Sequence, residues 1–184
     1  NKNKKKNIFI AYCPERVLPG HVVREALSTR PLGLKCSDNK ICAGVGNRLI
    51  KPSITEGICD WQQGFIPGRN FLNNPVRLDA IARCNSFQES WHKNPVLAAF
   101  DFKSAFPSLL HAFILWIFRA SGAPPSIINF VWSFYTWCIA FFPGEEGLEM
   151  FLRILSGIIQ GCPLSGTIFA HASHPLLMAF QYYM

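Results

Sequence analysis

Residues 96–100, Val-Leu-Ala-Ala-Phe, form a short apolar run without alternation, closed by the carboxylate of Asp101. A run of this length and kind predicts a strand buried on both faces. From Leu109 the pattern changes. Leu109, Leu110, Phe113, Ile114, Ile117 and Phe118 recur at i, i+1, i+4, i+5, i+8 and i+9, one face of a helix. Pro107 suits the first turn of that helix, where a missing N–H costs nothing. Strand, turn and helix together place Asp101 at the exit of a core strand. Charge beside a core run is uncommon, so Asp101 is either a turn cap or a functional acid.

The same patterning divides the rest of the chain. Residues 30–40 predict an extended segment and a turn, because Pro31 keeps Arg30 out of a helix. Asp38 and Asn39 signal a turn or helix cap. Ile41, Val45, Leu49, Ile50, Ile54 and Ile58 then make an imperfect helical stripe broken by Pro52. A short helix is expected within residues 15–28 and a longer one across 70–88. Residues 62–69 (QQGFIPGR) and 157–165 (GIIQGCPLS) are shaped loops rich in glycine and proline. Residues 126–142 are uncharged and apolar nearly all round. At about 17 residues they stand at the lower limit of a membrane span. Ser133 and Thr136 lie inside the segment and no Lys/Arg cluster flanks it, so a buried core helix is expected and no stable membrane insertion. Residues 143–147 predict a turn, 148–156 a strand, and 166–184 an apolar helix.

Charge sharpens this picture. Residues 1–94 carry 15 Lys+Arg against 7 Asp+Glu, a net +8, whereas residues 95–184 carry 3 against 4, a net −1. A basic first half implies an anionic partner held there, although Lys2, Lys4, Lys5 and Lys6 of a basic tail over residues 1–7 supply half of the excess. The seven cysteines show no CxxC and no zinc-finger spacing, which points to thiols in a reducing compartment. His171 and His174 lie three apart without a third ligand, so packing explains them better than metal binding.

Four segments, in order, resemble the reverse transcriptases of non-LTR retrotransposons. RPLGLKCSDNKI at 30–41 and QQGFIPGR at 62–69 resemble the two fingers motifs. FDFKSAFPSL at 100–109 resembles the A motif, and SGIIQGCPLSGTIF at 156–169 the B motif. The resemblance implies an α+β fold, the fingers and partial palm of a right-hand polymerase, truncated before the catalytic hairpin and thumb. Residues 8–94 would be fingers-like and residues 95–184 partial palm. It implies RNA-directed DNA polymerisation with an RNA template, a DNA primer and deoxynucleoside triphosphates, and a nuclear site of action. Two Mg²⁺ ions about 4 Å apart would flank the reacting phosphate.

The resemblance also carries residue roles. Asp101 and the backbone carbonyl of Phe102 match metal ligands. Phe106 matches the aromatic gate against a ribose 2′-OH. Gln160 and Gly161 match the pair that lines the incoming nucleotide, and Arg30 and Lys40 match positions that hold its triphosphate. Gly68, Arg69 and Pro163 fall at template-contacting positions; Arg69 either positions the template or stabilises the fingers loop. Two departures stand out. Pro107 replaces an acidic residue found in many relatives, at a position that is not expected to bind metal. No Asp follows Asp101, and a Tyr-x-Asp-Asp hairpin is absent. The 184 residues therefore look like a piece of a longer polymerase, expected to lack polymerase activity alone. The alternatives are a non-catalytic RNA-binding remnant and a membrane-associated helical protein built around residues 126–142.

Overall fold

The computed structural model describes residues 9–14, 29–34, 36–87, 96–144 and 147–183. The expected tail at 1–7 and the expected helix within 15–28 lie outside the described residues. Two antiparallel hairpins and six helices make up the described chain. Strands β1 (Phe9–Pro14) and β2 (Thr29–Leu34) pair with Phe9 opposite Leu34 and Cys13 opposite Arg30. Helices α1 (Ser37–Gly57), α2 (Asn73–Ser86), α3 (Ala105–Ser108), α4 (His111–Ala120) and α5 (Pro125–Tyr135) follow. Strands β3 (Ile139–Gly144) and β4 (Gly147–Arg153) form the second hairpin, and α6 (Ser165–Tyr183) follows them.

The core lies between α1, α4, α5 and α6 and is closed by the loops around Ile58, Ile66 and Ile158. It spans the expected boundary between residues 94 and 95. Ile50 and Ile54 of α1 meet Ile114 and Phe118 of α4, Val131 and Phe134 of α5, and Ile168 of α6 in one cluster. Helix α1 runs through Pro52, whose missing N–H falls on the exposed face. Its predicted stripe divides. Ile50, Ile54 and Ile58 point inward, but Ile41, Val45 and Leu49 are exposed. The first half of the buried face consists instead of Ala43 and Gly46. Phe130 of α5 packs so closely on Gly46 that a Cβ there would stand 2.1 Å from the ring tip. Small residues admit the neighbouring helix, which a count of large apolar positions overlooks.

Three other expectations change. Residues 96–100 form no strand: Val96 is 90% and Phe100 79% exposed. A strand exists only with a hydrogen-bonded neighbour, and the four described strands pair within their own hairpins. The helix expected from Pro107 is split into α3 and α4 at Leu109 and Leu110, where Leu110 bridges to Ser156 instead. The helix expected over 126–142 ends at Tyr135. Thr136 is extended, Trp137 is left-handed at φ 57°, and the remaining apolar residues enter β3. A continuous apolar run does not distinguish helix from strand. Among the described residues no helix is long and apolar enough to cross a membrane. Helix α2 lies where expected but buries no residue; Arg77 stacks over Trp61 at 4.9 Å and ties it to the preceding loop.

Candidate active site

The A-like and B-like segments are laced together through their backbones. Gly157 N–H donates to the Leu109 carbonyl at 2.8 Å, Ile158 N–H to Phe106 at 2.9 Å, and His111 N–H to Leu155 at 3.0 Å. Gly157 sits at φ 98°, and an added Cβ would lie 3.4 Å from the Pro107 backbone. Glycine fills such a place without steric cost. Ser104, left-handed at φ 56°, turns the chain between Asp101 and Phe106.

Three aromatic rings then bring three of the four motifs to one point. Phe106 stacks on Phe169 of α6 with centroids 4.7 Å apart and planes at 16°. Phe65, from the 62–69 loop, meets Phe106 edge-on at 5.7 Å and Phe169 at 6.3 Å. Phe65 is itself left-handed at φ 64°, an uncommon backbone for an aromatic residue. Its ring covers Gly166, where a Cβ would stand 2.6 Å from it. Phe106 is thus half-buried and held from two sides. Beside this triad an open cleft of about 430 Å³ is lined by Lys51, Phe65, Ile66, Pro67, Cys162, Pro163, Gly166 and Thr167. Sequence reasoning missed Phe65, Phe169 and Lys51 as parts of this place. The motif itself contains Phe65, but only the fold shows what its ring touches.

Arg69 closes the 62–69 loop. Its guanidinium donates to the carbonyls of Cys59 at 2.5 Å, Gln62 at 2.9 Å and Ile58 at 3.1 Å, and it lies 3.4 Å from the Asp60 carboxylate. A planar fork of five donors suits several carbonyls at once. Gly68, at φ 74°, turns the chain just before it.

The remaining expected residues lie farther apart. Gln160 and Gly161 occupy the turn before α6, with Gly161 at φ 81°. Lys40 is exposed in the first turn of α1. Arg30 lies on β2 opposite Cys13. Asp101 and Phe102 are both exposed. Among the described residues no three carboxylate, thiol or imidazole groups converge. The donor set therefore does not fit a two-Mg²⁺ centre: Asp101 supplies one carboxylate, and such a centre needs several hard oxygen ligands.

Residues 19–183 match the family described as Reverse transcriptase (RNA-dependent DNA polymerase). The chain belongs to the reverse transcriptase family. A polymerase fingers-and-palm fold follows from that membership, and the mixed helical architecture with few strands agrees with it. Two relatives place it with the non-LTR elements. It is 24% identical to the Transposon TX1 uncharacterized 149 kDa protein of Xenopus laevis over 80% of this chain and 11% of that one. It is 29% identical to the Retrovirus-related Pol polyprotein from type-1 retrotransposable element R2 of Bradysia coprophila, over 65% of this chain and 13% of that one. The reverse transcriptase segment thus spans about an eighth of the length of these curated relatives. A third match, 64% identical to a UDP-N-acetyl-D-mannosamine dehydrogenase of Methanococcus aeolicus, covers 25 residues, 14% of this chain. That is too short to specify a fold.

Proposed function

We propose that these 184 residues are the fingers and upstream palm of an RNA-directed DNA polymerase of a non-LTR retroelement. The observation that carries this reading is the meeting of the 62–69 loop, the A-like segment and the B-like helix at Phe65, Phe106 and Phe169. Around that point Phe106 is the gate against a ribose 2′-OH. Gln160 and Gly161 line the nucleotide, and Pro163, which lines the cleft, and Gly68, next to Pro67 of its lining, shape the template path. Arg30 and Lys40 bind the triphosphate as cations, since phosphate oxygens favour charge-assisted hydrogen bonds. Arg69 acts on the template indirectly, by holding the loop that borders it.

Asp101, with the Phe102 carbonyl, contributes to metal binding only in company with carboxylates from further polypeptide. By itself the chain does not polymerise, because one carboxylate cannot hold two divalent ions beside a reacting phosphate. Primer extension with the purified 184-residue chain, an RNA template, a DNA primer, Mg²⁺ and deoxynucleoside triphosphates tests this. No product is expected, and templated extension would refute it.

A further inference from the structure

The loop that carries Gln160 and Gly161 is held from behind by buried side chains. The carbonyls of Gly157 and Ile159 flank Ile158, and each accepts a hydrogen bond. His111 Nε2 donates to Gly157 at 2.9 Å, which fixes the tautomer with its proton on Nε2. Ser165 Oγ donates to Ile159 at 2.7 Å. Both donors are buried, His111 on α4 and Ser165 at the start of α6. Tyr135, buried on α5, joins them. Its ring lies 4.8 Å from the His111 imidazole.

An apolar residue at 111 would continue the buried face of Ile114, Leu115 and Phe118. A buried imidazole in that place is explained by the carbonyl it meets, since buried polar groups require partners. We propose that His111 and Ser165, with Tyr135 packed against the imidazole, are positioning residues that fix the backbone at 157–159 and thereby set Gln160 and Gly161. That this serves an incoming nucleotide rests on the polymerase reading above; the fixing of the loop does not.

Hydrogen exchange followed by mass spectrometry on the 184-residue chain tests the proposal. His111→Leu fills the space without a donor. It should speed exchange across 157–164 about tenfold, the effect of one lost hydrogen bond, and leave the α1 core segment at 43–57 unchanged. His111→Gln retains a donor and should stay within about threefold of the parent chain. Ser165→Ala, which frees only the Ile159 carbonyl, should give the same local pattern as His111→Leu. Equal acceleration of 43–57 and 157–164 would reduce the two donors to general packing and overturn the proposal. So would an unchanged loop, or His111→Gln exchanging as fast as His111→Leu. Failure of the polymerase reading shows elsewhere, in absent RNA binding, and does not alter the exchange pattern.

Discussion

Replacing Arg69 separates its two expected roles. Its side chain is 19% exposed, and its guanidinium serves three backbone carbonyls at 2.5–3.1 Å. The Asp60 carboxylate is 99% exposed, so that ion pair adds little. A hydrogen bond to a charged group contributes about 1.5–3 kcal/mol when well buried. Water can reach part of this loop after truncation, so about 1 kcal/mol per carbonyl, and about 3 kcal/mol in all, is the reasonable loss for Arg69→Ala. For a chain of this size that lowers the melting temperature by about 6–12 °C. Arg69→Lys keeps the charge but loses the fork, so it should recover less than half of the loss. Urea or thermal unfolding by circular dichroism measures both. If either variant unfolds like the parent while RNA binding falls, the guanidinium contacts template and the structural argument is wrong.

Other consequences can be checked on the same protein. Gly46→Ala should destabilise by about 1–2 kcal/mol through overlap with Phe130. In a Phe130→Ala background the same change should stabilise by about 1 kcal/mol, the helix preference for alanine, and no change of sign in urea midpoints would refute the contact. Burial holds the imidazoles of His111, His171 and His174 below their usual range, and the neighbouring His174 adds to the effect at His171. The unfolded chain then binds protons first as pH falls below about 6.5. Stability should be full above that pH and decline below it toward the depressed folded values, with a shallower decline in His111→Gln; a flat urea midpoint between pH 7 and 5 would contradict this. RNA binding through the basic first half should weaken steeply with salt, and Asp101→Ala should leave it intact. Salt-independent binding by filter or anisotropy assay would exclude that mode.

Much of this protein is decided locally. Loops at 62–69 and 157–165 follow from glycine and proline, because a positive φ at Gly68, Gly157 and Gly161 is open to glycine and expensive for most other residues. Helix α4 follows from periodicity, α2, α6 and β4 fall within stretches where the sequence predicts them, and the family follows from four short motifs in order. Tertiary structure decided the rest. Residues 96–100 are apolar enough for a core strand, yet hydrogen-bonded pairing is a property of two segments, and none lies beside them among the described residues. The buried face of α1 depends on Ala43 and Gly46, whose value appears only when Phe130 arrives. A buried imidazole at His111 on the apolar face of α4 is explained only by Gly157, 46 residues away, which supplies its acceptor. Asp101 and Phe106 were both legible as motif residues. What the sequence could not supply was their surroundings: the fold leaves Asp101 in solvent and clasps Phe106 between Phe65 and Phe169. Residue type and spacing act within a few neighbours along the chain, whereas burial and ring contact arise from segments far apart in sequence that only folding brings together.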